Sequence, residues 1–189
     1  VSRPRDPEVD RAILAATAEL VAESGFEALT VDAVAERAGV ARASIYRRHA
    51  NRTALLIAAC EAFAPPLPEP PRTGSLRCDL LALGTAIAGA LQDRATGGLL
   101  PTMIAASSAH PEMRDALATF FSSRRSPTAE AVREAIERGE VEAEVDPELV
   151  ADLLVGAVVH RTVLRAGRVG PTRVAQLVDV VLGGITARN

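Results

Sequence analysis

The chain contains no lysine and no tryptophan, and its 189 residues include only five aromatics, three histidines, two cysteines and two methionines. A core short of large aromatics has to be built from Ala, Val, Leu and Ile, and alanine in quantity favours helix. Cys60 and Cys78 stand far apart with no companion ligand nearby, so they read as ordinary reduced thiols. Scattered histidines, no glycine-rich phosphate loop and no visible nucleophile with its base argue against an enzyme, and neither a metal nor a cofactor is expected. The first residues lack the apolar core of a signal peptide, and Arg, Asp or His interrupts each apolar run before it reaches membrane-spanning length. The expected location is cytoplasmic, with no membrane partner.

A formal net charge of -3 is not that of an indiscriminate polyanion binder. The distribution says more than the sum. Between Arg37 and Arg52 there are five arginines and no acid, while acids gather at Asp6 to Asp10 and between Glu130 and Glu148. A local basic stripe on an acidic protein supplies phosphate contacts without general adhesion to nucleic acid.

Asp6-Pro7-Glu8 opens a helix: an acceptor at the cap, a proline whose missing N–H is harmless there, and an acid near the positive helix end. Val9, Ile13, Ala16, Leu20 and Val21 then share a face until Ser24-Gly25. Thr30 caps a short helix with Val31, Val34, Ala35 and Ala38 inward, stopped at Gly39. A second short helix is expected from Arg42 to His49, and a third from Asn51 with Leu55, Leu56, Ala59 and Phe63 on its buried side. Residues 64–75 hold five prolines, which no helix survives, so they form a stiff extended connection between residues 1–64 and 76–189. Beyond it, helices are expected over 76–93, 99–109, 111–125, 128–138, 147–166 and 171–187, with Ser126-Pro127, Asp146-Pro147 and Gly170-Pro171 as start signals. No segment alternates as a strand would, so the fold class is all-α.

The stretch VDAVAERAGVARASIY, Val31 to Tyr46, has two short helical patterns meeting at Gly39, with Val34, Ala35, Val40 and Ile45 placed to pack across the corner. That is the pattern of a helix-turn-helix. Its second helix presents Arg42, Ala43, Ser44, Tyr46, Arg47 and His49, a mixture suited to base edges and phosphates in a major groove. The run GFEALTVDAVAERAGVARASIYRRHANRTALL, Gly25 to Leu56, resembles the signature of the TetR-type transcription regulators. The resemblance implies Thr30 and Tyr46 on phosphates, Arg42, Ala43, Ser44 and Arg47 near bases or the adjoining backbone, and Arg52 gripping phosphate where the family usually has lysine. His49 and Ala50 depart from the phenylalanine and proline more usual there.

Past the linker, GSLRCDLLALGTAIAGAL, HPEMRDALATFFSSRR and VDPELVADLLVGAVVHR look more loosely like the family's effector domains. This implies a ligand-responsive regulator, most often a repressor, acting on double-stranded operator DNA as a homodimer whose last two helices form a four-helix bundle with their twins. The residues agree, because the apolar arcs of both helices are wider than one small core needs. Leu153, Gly156 and Ala157 on one helix, and Val174, Leu177, Val178, Val181 and Leu182 on the other, are the expected dimer contacts. Met103, Ile104, Phe120, Phe121 and His160 are candidates for the pocket of an unidentified small-molecule effector. Ordinary core for the four apolar residues, and an interface or merely hydrogen-bonded role for His160, remain open. His110 reads as a helix-start residue, Arg124-Arg125 as a solvated face or else a contact with an acidic effector or the partner subunit, and Arg3 and Arg5 as a tail that could follow DNA. The rival reading is a helical ligand-binding or protein-interaction module with a non-functional DNA head.

Overall fold

The computed structural model describes residues 6–63, 68–93, 98–165 and 167–185, the side chains of Arg124 and Ile185 excepted. Arg3, Arg5, the middle of the proline tract and the expected end of the last helix lie outside them. Among the described residues there are nine α-helices and no β-strand: α1 (Pro7–Ser24), α2 (Val31–Ala38), α3 (Arg42–Tyr46), α4 (Arg52–Phe63), α5 (Leu76–Gln92), α6 (Leu99–Ala106), α7 (Pro111–Glu137), α8 (Pro147–Val159) and α9 (Pro171–Ile185). A π-helical turn, His160–Leu164, continues α8.

The helix starts follow the capping residues. Asp6, Thr30, Ser75 and Asp146 each accept a hydrogen bond from a backbone N–H in the first turn of the helix that follows. Proline behaves differently in α7. The Ser126-Pro127 signal predicts a new helix, yet Pro127 lies inside one 27-residue helix. A proline there forgoes one intrahelical bond and costs about 3 kcal/mol. Burial of Ala129, Ala131, Val132 and Ala135 just beyond it offsets that loss.

Two compact units result, Val1–Pro65 with Arg94–Ala118 and Pro66–Asp93 with Thr119–Asn189. In the first, α1 packs on α2 and α4, and α6 packs on α1 and α4. Its core holds Ile13, Leu29, Val34, Ile45, Leu55, Leu56, Leu99, Leu100 and Met103, all essentially inaccessible. Residues 94–118, which the sequence assigned to the region after the linker, thus group by packing with the first helices. The apolar side of α6 finds its burial there.

In the second unit α5 lies against α8 and α9, with Leu76, Leu80, Leu83 and Ile87 meeting Leu154, Val155, Val158, Val174 and Val178. The start of α5 is tied down. The buried carboxylate of Asp79 accepts from the Thr73 backbone N–H (3.0 Å) and hydroxyl (2.8 Å), and Glu140 accepts from the Leu76 N–H. Where α5 crosses α9, a Cβ built on Gly84 would stand 2.8 Å from Cγ1 of Val174. Valine is stiff about χ1 and cannot swing away cheaply.

Gly84→Ala should therefore destabilise the chain despite the better helix former. Overpacking of about 1–3 kcal/mol exceeds a propensity gain of at most about 1 kcal/mol. Urea unfolding checks this, and adding Val174→Ala should recover part of the loss, a coupling that independent sites would not show.

Candidate nucleic-acid interface

The corner between α2 and α3 is made by backbone chemistry. Gly39 ends α2 in the left-handed region (φ 66°, ψ 31°), which lets the Val40 N–H reach back to the Ala35 carbonyl at 3.0 Å. After that reversal α3 is only five residues long and has no side-chain cap. Ile45, fully buried, fixes its inner side. Arg42, Ala43, Tyr46 and Arg47 are exposed, Ser44 and His49 half-buried. Tyr46 is 57% exposed although it is the chain's one tyrosine.

Beside α3 two helix starts converge. Thr30 caps α2 by accepting from the Ala33 N–H (3.1 Å), and Asn51 caps α4 by accepting from the Ala54 N–H (2.9 Å). Between them lies an open groove of about 370 Å³, lined among others by Thr30, Tyr46, Asn51 and Arg52. Two helix starts, a phenol and a guanidinium line this groove, and all are groups able to donate hydrogen bonds to an anion.

The arginine stripe is less free than its sequence suggests. Arg37 forks onto Glu23 (2.8 Å) and Glu19 (3.3 Å) of α1, and its direct hydrogen bond holds the Glu23 carboxyl below the usual carboxylate range. Arg48 is bound to Asp10 and donates to the Ser44 carbonyl at 2.9 Å, which pins α3 to α1. Arg42 pairs with Asp32 at 2.6 Å. Arg52 stacks 4.5 Å over the Phe26 ring and pairs with Glu27 at 3.4 Å. Arg47, bonded only to the Ser44 hydroxyl (2.9 Å), is the one of the five with no carboxylate partner among the described residues. None of these acids sits near its arginine in the chain, apart from the helical neighbours' general surroundings, so no sequence spacing announced the pairs.

The other expected sites scatter. Met103 is 1% exposed inside the first unit's core, with Ile104 half-buried beside it, while Phe120, Phe121 and His160 belong to the second unit. His160 is exposed and lines neither the groove at Thr30 and Arg52 nor the cavity at Phe121. Phe121 does line one, of about 280 Å³, together with Arg125, Asp152, Val155, Gly156 and Val159. Arg125, which sequence left as a solvated residue, pairs with Asp152 at 2.6 Å on its wall. Of the expected dimer contacts, Val174 and Val178 are fully buried within the chain's own core against α5, so they offer nothing to a partner. Both helices carry wide apolar arcs, and that width hid which part of each α5 covers. Leu153 and Gly156 are exposed, and Ala157, Leu177, Val181 and Leu182 half-buried. Exposed Leu149, Leu164 and Val180 join them on the surface of α8 and α9.

A helix-turn-helix with an outward second helix, carried on an all-helical chain, defines a DNA-binding transcription regulator. The chain belongs to the TetR family: residues 13–59 match the family model "Bacterial regulatory proteins, tetR family", and residues 70–181 match "Tetracyclin repressor-like, C-terminal domain". It is similar to the uncharacterized HTH-type transcriptional regulator YdeS of Bacillus subtilis, 32% identical over 99% of this chain and 94% of that protein. It is also similar to the DNA-binding transcriptional repressor TetR of Mycobacteroides abscessus, 30% identical over 90% of each. Among solved structures, the TetR family transcription regulator SCO0332 superposes with a TM-score of 0.66 at 30% identity, covering 95% of this chain and all of that one. The relatives are DNA-binding regulators, and this chain is a regulator rather than an enzyme. No helix among the described residues is long and apolar enough to cross a membrane.

Two neighbouring arginines should separate by role. Arg48→Ala leaves Asp10 without its cation and frees the end of α3, so thermal or urea unfolding should show a loss of about 1–2 kcal/mol. Arg47→Ala should leave the same unfolding curve within about 0.5 kcal/mol of the parent.

Proposed function

We propose that the chain represses transcription by binding a palindromic operator as a homodimer, and that a small-molecule effector releases it. The observation that carries this is the orientation of α3: Ile45 holds it from beneath while Arg42, Ala43, Tyr46 and Arg47 face solvent beside the groove lined by Thr30 and Arg52. In this reading Thr30, Tyr46 and Arg52 hold phosphates. Arg47, with no acid to satisfy it, reads a base edge or grips the adjoining backbone, and Ala43 and Ser44 meet bases. Arg42 and Arg52 exchange Asp32 and Glu27 for phosphate on docking. A symmetric pair sets two such helices about 34–36 Å apart, one turn of the duplex.

Support for the dimer comes from the apolar surface left on α8 and α9, where Leu149, Leu153, Leu164 and Val180 are each more than half exposed. Isolated exposed leucines are ordinary, but a contiguous set on adjoining helices marks an interface. The relative from Mycobacteroides abscessus is named a repressor, which favours repression here. For the effector, the cavity at Phe121 and Arg125 supplies apolar walls and one ion pair, at the lower end of the size range of ligand sites. Effector binding then shifts the dimer toward a head spacing that no longer fits the operator, a coupling of about 1–3 kcal/mol.

The test is selection of an operator from random duplexes, followed by fluorescence anisotropy. A palindromic site bound tightly, with affinity falling steeply as salt rises, is expected. Arg47→Ala should weaken binding by about 1–3 kcal/mol, roughly tenfold or more, and Tyr46→Phe by about 1 kcal/mol, while sedimentation shows an unchanged dimer. Recovery of no preferred sequence at any salt concentration would overturn the reading in favour of a helical interaction module.

A further inference from the structure

We infer that α8 and its π-helical continuation pair antiparallel with the same segment of a second copy, about a two-fold axis passing between Gly156 and Ala157. The inference rests on the homodimer proposed above and assigns its register. Its basis is a mirror order in the outward residues. Counting away from the point between Gly156 and Ala157, Leu153 answers His160, Asp152 answers Arg161, Leu149 answers Leu164, and Glu148 answers Arg165. All ten of these positions are exposed or half-buried, and Leu149, Leu153 and Leu164 are 57%, 52% and 67% exposed. The positions between them, Val150, Ala151, Leu154, Val155 and Val158, are buried against the chain's own core.

The charges decide the direction. In the antiparallel register Asp152 and Glu148 of each copy meet Arg161 and Arg165 of the other, so every facing pair is opposite in sign. In a parallel pair each of those residues would face its own twin, acid against acid and arginine against arginine. Farther out, Arg168, like Arg161 and Arg165, has no carboxylate partner among the described residues, and Glu142 and Glu144 before the helix have no cationic one. Asp152 and Glu148 already hold Arg125 and Arg133, each through one carboxylate oxygen, at 2.6 Å.

Two backbone features fit the same seam. A Cβ built on Gly156 meets nothing within 4 Å, so the helix is open at the axis itself, beside the cavity that Gly156 lines with Phe121, Arg125 and Asp152. The π turn, closed by the Arg165 N–H on the His160 carbonyl at 3.0 Å, takes an extra residue per hydrogen-bonded loop. That wider turn brings Leu164 back toward the line of Leu149, Leu153, Gly156 and His160.

Cross-linking tests the register in the full chain with Cys60→Ala and Cys78→Ser as background, each variant checked for parental helicity by circular dichroism. Oxidation of Ala157→Cys should give a covalent dimer in high yield. Leu149→Cys and Leu164→Cys should each stay unlinked alone, because copies of either residue lie about 22 Å apart at about 1.5 Å per residue. Mixed one to one, they should link, since facing positions come within disulfide reach. Arg161→Glu combined with Arg165→Glu should raise the dimer dissociation constant at least tenfold in low salt. A sedimenting dimer in which Leu149→Cys links to itself, Ala157→Cys does not link, or the double charge reversal changes nothing would overturn the inference and leave the homodimer standing. A chain that sediments as a monomer would overturn both.

Discussion

The regulator's contact with DNA depends on holding a helix too short to hold itself. Five residues make barely one turn, far below the length at which an isolated helix persists in water. The structure of α3 is therefore imposed from outside, by Ile45 sunk in the core, by the Gly39 reversal that aims it, and by Arg48 clamped to Asp10 at its end. All three act on the inner side. The outer side, with Arg42, Ala43, Tyr46 and Arg47, is left free of the work of holding the helix in place.

Much of this was legible beforehand because it is local. Thr30, Asp6 and Asp146 announce helix starts by a side chain reaching two or three residues on, and Gly39 announces a left-handed corner. The inward residues of α2 and α4 follow from periodicity alone. What escaped is non-local. Pro127 reads as a helix start until the burial around Thr128 and Ala129 is known. Val174 and Val178 read as interface until α5 is seen to cover them. The apolar arcs of α8 and α9 are so wide that hydrophobic phase alone cannot divide what the core takes from what stays at the surface.

Charge gives the sharpest case. In sequence, Arg37, Arg42, Arg47, Arg48 and Arg52 form an uninterrupted basic stripe. In space four of them meet Glu19, Glu23, Asp32, Asp10 and Glu27, and only Arg47 is left without an acid. The stripe is thus two populations. Arg37 and Arg48 brace α1 against α2 and α3, while Arg42, Arg47 and Arg52 border the solvent face and the groove.

That division bears on selectivity. Non-specific DNA affinity grows with the number of phosphates neutralised, whatever the sequence beneath them. A head whose arginines already hold carboxylates gains little from an arbitrary duplex, since each new phosphate contact must replace an existing ion pair. Exchange becomes favourable only where several phosphates and base edges are met together, as in a fitting major groove. An acidic chain with a partly neutralised head therefore favours discrimination over raw affinity, and in the proposed contact Arg47, the cation with no acid to give up, is the one freest to take part.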